Sequence, residues 1–112
     1  EAGPFLNDAK IAYYELDKTN HYAPALDKIP EELAKKAKMM VVSYPLNPTC
    51  TCIEKADYEK IIAFAKKYNI AIIHDNAYSE IEYDGRTGFS FLSVPGAKEV
   101  GIEFNRCQRP II

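Results

Sequence analysis

The stretch Ile70-Ala71-Ile72-Ile73-His74-Asp75-Asn76-Ala77-Tyr78 is a short apolar run that ends abruptly in an acid, with a phenol three residues further on. Runs of this length that are rich in β-branched residues are typical of strands buried on both faces of a parallel sheet. Asp75 is therefore predicted to lie at the carboxyl end of the strand, which is the edge where open α/β sheets bind ligands. A partly desolvated carboxylate at that edge requires a cationic partner. The spacing is equally compatible with Asp75 capping the next turn.

Composition predicts one ordinary globular domain over residues 1–112. The chain is 47% hydrophobic and 27% charged, and its net charge of −2 gives no indication of nucleic acid or an anionic membrane as a partner. No apolar run approaches the ~20 residues that span a bilayer. The sequence has no visible signal-peptide pattern, so we expect a cytoplasmic protein.

The cysteines are Cys50, Cys52 and Cys107. An odd count without a secretory signal favours reduced thiols in a reducing compartment. Cys50-Thr51-Cys52 together with His74 is a conceivable metal site. The one-residue gap differs from the usual zinc spacing and no second pair follows, so we predict no metal site.

The remaining elements alternate between strands and helices. Strands are predicted over residues 10–16, 39–44 and 100–104, helices over residues 30–37 and 54–68, an extended loop over residues 17–29, and an irregular link over residues 88–96. Alternation of this kind predicts an α/β fold, a three-layer sandwich with a mostly parallel, helix-covered sheet.

Two strand ends carry the candidate binding residues. Asn47 follows the second strand, and Asp75 and Tyr78 follow the third, so a parallel sheet would bring an amide, a carboxylate and a phenol to one edge. This set suits a planar aromatic ligand that has a basic ring nitrogen and a ring oxygen. In the bland alternative, Asn47 is only a turn residue before a proline and Tyr78 only a core aromatic.

Several motifs together resemble one known family. They are Tyr44-Pro45-Leu46-Asn47-Pro48-Thr49, the helix residues 61–68, His74-Asp75-Asn76-Ala77-Tyr78 and the segments 90–98 and 101–104. The sequence is similar to the large domain of class I/II pyridoxal-phosphate aminotransferases of fold type I, nearest the LL-diaminopimelate/aspartate branch. The resemblance implies a partial large domain whose parent transfers an amino group from an amino acid to a 2-oxo acid.

The resemblance also implies a role for each candidate residue. Asn47 and Tyr78 match the residues that hydrogen-bond the ring oxygen of pyridoxal 5'-phosphate. Asp75 matches the aspartate paired with the pyridinium nitrogen, the contact that makes the cofactor an electron sink.

The sequence departs from the family at two positions. Cys50 stands where the family has glycine, and a side chain at a left-handed position costs roughly 1 kcal/mol or more. Arg109 stands at the position of the Schiff-base lysine, and a guanidinium is a poor imine former. The pair Arg106 and Arg109 could attract a phosphate or could simply be solvated.

These departures predict a fragment that has no catalytic residue and is inactive alone. The alternative is a non-catalytic α/β binding or interaction module that keeps residual pocket residues. The parent sheet has more strands than this chain supplies, so we also expect uncovered apolar surface and self-association, as in a homo-oligomer or homodimer.

Overall fold

The computed structural model of the chain describes residues 2–78 and 89–105. The predicted turn at Asp84-Gly85 lies outside the described residues. The predictions for Arg106, Cys107 and Arg109 also lie outside them.

The first third of the chain contains little regular structure. Helix α1 spans Ala2–Leu6, and the two-residue strands β1 (Leu16–Asp17) and β2 (Ala23–Pro24) pair with each other antiparallel. The predicted strand over residues 10–16 is therefore wrong except at its last residue. No described strand pairs with residues 10–15, and Ile11 and Tyr13 stay 44% and 77% exposed. Tyr14 instead donates its hydroxyl to the carbonyl of Val41 at 2.8 Å.

The middle of the chain follows the prediction closely. It contains α2 (Glu31–Lys36), β3 (Met39–Ser43), α3 (Lys55–Tyr68) and β4 (Ala71–Asn76). Helix α3 begins with a capping box in which Glu54 and Asp57 exchange side-chain and backbone hydrogen bonds. It ends at Asn69, whose φ of 55° is the left-handed conformation that commonly terminates helices. Local sequence therefore fixes both ends of this helix.

The described part closes with a 3-10 helix (Phe91–Ser93), the short helix α4 (Ala97–Val100) and strand β5 (Gly101–Asn105). Helix α4 was not predicted, and β5 begins one residue later than expected. Phe91 is fully buried, whereas Phe89 remains 39% exposed.

Strands β3, β4 and β5 form a parallel sheet in that order, which confirms the α/β prediction. Helix α3 connects β3 to β4 and buries Tyr58, Ile61, Ile62 and Ala65. The sheet residues in the core are Met40, Val42, Ile72, His74 and Asn76. All of them alternate with exposed or half-buried residues along their strands.

The expectation that β4 is buried on both faces is wrong for the described residues. Ala71 and Asp75 are exposed and Ile73 is half-buried, because no described helix covers that face. Large apolar side chains on this open face are more than half exposed, namely Met39, Val41, Ile102 and Phe104. Among the described residues, no helix is both long and apolar enough to cross a lipid bilayer.

Candidate functional site

The carboxyl ends of β3 and β4 lie side by side. Ser43, the last residue of β3, is the register partner of Asp75, which is in turn the register partner of Phe104 on β5. The loop that carries Asn47 leaves β3 at this edge, and Tyr78 follows β4 at the same edge. The parallel topology thus places the three predicted binding residues at one rim of the sheet.

Asn47 and Tyr78 come into direct contact across the two loops. The Asn47 amide Nδ2 lies 3.4 Å from the Tyr78 hydroxyl, which is long for a hydrogen bond. The two groups are therefore in contact, and the hydrogen bond between them is weak. Asn47 is exposed and Tyr78 half-buried. If the amide donates to the phenol oxygen, the phenol O–H and the second amide N–H both remain able to donate to a third oxygen.

The Asn47 loop is closed by its own backbone. Leu46 and Thr51 form an antiparallel bridge, and the Cys50 N–H donates to the Leu46 carbonyl at 2.7 Å. Cys50 has a φ of 53°, so the chain retains the left-handed conformation for which a glycine is better suited. The departure at Cys50 therefore places a strained side chain in an otherwise well-bonded turn.

Asp75 presents an exposed carboxylate on the open face of the sheet, between Ser43 and Phe104. Within residues 2–78 and 89–105 it forms no ion pair. The carboxylate is thus available to a cation, which is the partner that the sequence predicts for it.

On the opposite face of the sheet, the structure contains a polar cluster that the sequence analysis missed. The side chains of His74 and Glu103 are 0% and 2% exposed, and their Nδ1 and Oε2 atoms are 3.1 Å apart. The His74 Nε2 lies 3.1 Å from the Tyr58 hydroxyl. The available signal was a lone acid in the middle of the apolar strand β5, at the register position of a histidine.

Protonation in this cluster follows from its burial and hydrogen bonds. Burial lowers the pKa of His74, which outweighs the raising effect of the Glu103 carboxylate. Burial acts to raise the pKa of Glu103, but hydrogen bonds from several groups lower it overall, namely Asn105, Ser90, the Phe91 N–H and Asn76. A neutral imidazole therefore donates from Nδ1 to an ionised carboxylate and accepts from Tyr58 at Nε2.

In this arrangement His74 is not placed to bind a metal ion together with Cys50 and Cys52. Both ring nitrogens already have protein partners, and the ring is fully buried while Cys50 is exposed. In the described part of the chain, no group of three or more His, Cys, Asp and Glu side chains is placed to hold a metal ion.

A groove of about 880 Å³ lies away from this edge, between the segment around residues 24–31 and helix α3. Its lining mixes Asp27 and Glu31 with Lys60, Lys67 and the ring of Phe64. None of the predicted binding residues lines this groove. We therefore place the candidate site at the strand ends, where these residues lie, and not in the groove.

Taken together, these features define an α/β protein whose candidate site lies at the carboxyl ends of parallel strands. The chain belongs to the aminotransferase class I and II family, whose model matches residues 5–101. Aminotransferases of this family depend on pyridoxal phosphate.

Curated relatives support the branch that the motifs indicated. The chain is 42% identical over 108 residues to the LL-diaminopimelate aminotransferase of Moorella thermoacetica, covering 96% of this chain and 28% of the relative. It is 47% identical over 105 residues to the Halothermothrix orenii enzyme of the same name, covering 94% and 27%. The chain thus spans just over a quarter of the length of these relatives.

Solved structures agree with the fold. A substrate-bound structure of BacF from Bacillus subtilis superposes with a TM-score of 0.89 at 39% identity, covering 95% of this chain and 27% of that one. An aminotransferase from Staphylococcus aureus gives a TM-score of 0.87 at 31% identity, covering 95% and 28%. The described sheet and helices therefore match a segment of an aminotransferase large domain.

Proposed function

We propose that Asn47, Asp75 and Tyr78 form one wall of a pyridoxal-phosphate site, in a protein that transfers an amino group from an amino acid to a 2-oxo acid. The observation that carries the proposal is the 3.4 Å approach of Asn47 to Tyr78 at the rim where β4 ends in Asp75. Under this proposal, residues 1–112 are a single partial large domain that binds the cofactor.

The donor set fits the cofactor ring. When bound, pyridoxal phosphate supplies a protonated ring that withdraws electrons from the substrate carbon. The Asp75 carboxylate would stabilise the proton on the ring nitrogen, since it is exposed and has no cationic partner in the described residues. The amide of Asn47 and the phenol of Tyr78 would donate to the ring oxygen on the other side.

We infer that this 112-residue chain does not transaminate by itself. Sequence register gives Arg109 where the family has its lysine, and a guanidinium neither forms the imine readily nor shuttles protons near neutral pH. This inference rests on the chemistry of the Arg109 side chain. Turnover in a coupled assay with pyridoxal phosphate would contradict it.

Pyridoxamine 5'-phosphate is the cleanest probe of the binding proposal, because it has no aldehyde that could react with surface lysines. We expect its absorbance to change saturably on titration with the chain, and the affinity to fall by about tenfold or more in Asp75→Asn. Asp27→Asn is the matched control, since Asp27 is also exposed but lines the distant groove. Equal affinities in all three proteins, or no saturable binding by the unmodified chain, would refute the proposal.

The open sheet face supports a second candidate, an interaction module that associates with itself. Its exposed apolar side chains are more than half accessible and lie on β3 and β5, the two strands that flank β4, namely Met39, Val41, Ile102 and Phe104. Burial of such a patch is favourable, so we propose a homo-oligomer. Sedimentation over a range of concentrations, with Val41→Lys as the variant, tests it. A monomer at every concentration would contradict it.

We also propose that the protein works in a reducing compartment such as the cytoplasm. Within the described residues the exposed thiol of Cys50 forms no disulfide, which fits such a compartment. Fluorescence microscopy of the tagged protein in a native host tests this location.

A further inference from the structure

The buried polar cluster beneath the candidate site has no role in the proposal above. Its members come from three elements: Tyr58 from α3, His74 and Asn76 from β4, and Glu103 from β5. All but Glu103 are at most 3% exposed as whole residues, and the Glu103 side chain is 2% exposed. A polar group buried this deeply is unfavourable unless it is well bonded, so the arrangement of its bonds is informative.

Glu103 is the centre of the cluster. Its Oε2 accepts from His74 Nδ1 at 3.1 Å and from the Phe91 N–H at 2.7 Å, and its Oε1 accepts from Asn105 Nδ2 at 3.1 Å. Asn76 also hydrogen-bonds to Glu103 through its side chain. One carboxylate thus binds the two residues of β4 that flank Asp75, as well as the segment that precedes α4.

The position of Asp75 depends on these two neighbours. Its own side chain is exposed, and no described residue forms an ion pair with it, so the backbone sets the direction in which this side chain leaves the strand. Strand side chains alternate between faces, so anchors at residues 74 and 76 restrain the direction of residue 75. Both anchors share one carboxylate on the neighbouring strand, which couples the restraint to β5.

The cluster is not arranged for stability alone. The buried Oδ1 of Asn76 has no hydrogen-bond partner in the described part of the chain. Buried ionic groups can often be replaced by apolar residues of similar volume without loss of stability. A cluster of this kind is therefore better explained by the geometry that it imposes.

We propose that His74, Asn76 and Glu103 are positioning residues, which hold the β4 backbone on both sides of Asp75 so that its carboxylate is presented in one orientation to a cationic ring nitrogen. The ligand part of this inference rests on the proposed function. The backbone part concerns the chain alone and can be tested without ligand.

The test compares a double variant with two others. His74→Phe with Glu103→Leu replaces the pair by apolar residues of similar shape, and Glu103→Gln keeps the shape while removing the charge. Ile61→Val, in the core face of α3, is the control that trims buried volume without removing a polar atom of the cluster. Amide hydrogen exchange of residues 74–76 is measured without ligand, together with the urea midpoint and the affinity for pyridoxamine 5'-phosphate.

We expect the double variant to remain folded with a lower urea midpoint, because the Phe91 N–H and the Asn76 side chain lose their acceptor. Amide exchange at residues 74–76 should accelerate by about tenfold or more beyond that of the other core amides, through local opening. Affinity for the probe should fall by about tenfold or more. Glu103→Gln should show the same changes in smaller measure, and Ile61→Val should leave local exchange and affinity unchanged.

Three outcomes overturn the proposal. Unchanged local exchange in a folded double variant would show that the cluster does not hold β4. Failure of the double variant to fold, with normal exchange in Glu103→Gln, would assign the cluster to stability alone. Equal acceleration in Ile61→Val would show a general loosening of the core. Faster exchange without probe binding by the unmodified chain would refute the proposed function and leave the positioning of β4 supported.

Discussion

Replacing Cys50 by glycine should stabilise the chain. Cys50 lies in the Asn47 loop with a φ of 53°, where the Cβ atom of a non-glycine residue is strained. Its thiol is exposed and only 3.8 Å from the Pro48 carbonyl, a weak contact whose loss costs little. The backbone bonds that close the loop, from Cys50 to Leu46 and from Leu46 to Thr51, do not involve the side chain.

The expected gain follows from two opposing effects. Relief of the left-handed strain is worth about 1–2 kcal/mol. The greater freedom of glycine in the unfolded chain removes about 0.5–1 kcal/mol of that. The free energy of unfolding should therefore rise by at most about 1.5 kcal/mol, and by about 0.75 kcal/mol at the middle of both ranges, which raises Tm by roughly 3–5 °C for a chain of this size.

Urea unfolding followed by circular dichroism, supported by calorimetry, measures this change. The control is Cys50→Ala, which removes the thiol but keeps the Cβ atom and hence the strain. We expect its free energy of unfolding to stay within about 0.5 kcal/mol of that of the unmodified chain. If alanine stabilises as much as glycine, or if glycine lowers the midpoint, the assignment of strain to residue 50 is wrong.

Two further predictions concern the sheet. Gly101→Ala should destabilise the chain by about 1–3 kcal/mol, since the added Cβ would lie 2.8 Å from the Ile72 carbonyl oxygen; Gly3→Ala, which meets nothing within 4 Å, should be close to neutral, and equal urea midpoints would contradict the packing argument. Acid should weaken the fold in two stages. The folded pKa of His74 lies below its ordinary 6.5, so the unfolded chain takes up the proton first and stability falls as the pH drops below 6.5. The folded pKa of Glu103 lies below its ordinary 4.5, which adds a second loss below that pH. Urea midpoints measured from pH 7 to pH 3 check this, and His74→Phe should abolish the first stage but not the second.

The elements around α3 could be predicted from sequence because their signals are local. Apolar periodicity, the acidic Asp57 in the first turn and a left-handed Asn69 specify the helix without reference to the rest of the chain. The parallel rule then places the ends of β3 and β4 together, which is how Asn47 and Tyr78 could be paired across 31 residues.

The errors arise where a partner decides the structure. Apolar alternation over residues 10–16 predicts a strand. A strand requires a neighbouring strand, and the described structure provides one only for Leu16. The apolar residues of β4 predict a strand that is buried on both faces. Composition shows that residues are apolar, but not which face of the sheet another element covers. The cluster at Glu103 links residues 29 positions apart, and neither residue has a local signal for the other.

The alternation along β4 makes the strand intolerant of changes in length. Even-numbered residues such as His74 face the core, and Asp75 faces the candidate site. One residue inserted upstream within Ala71–His74 would exchange these roles, driving a carboxylate into the aromatic core and a histidine into solvent. The spacing from Asp75 to Tyr78 is constrained as well, because Tyr78 meets Asn47 across the two loops. Insertions and deletions are therefore expected to be absent between Ala71 and Tyr78.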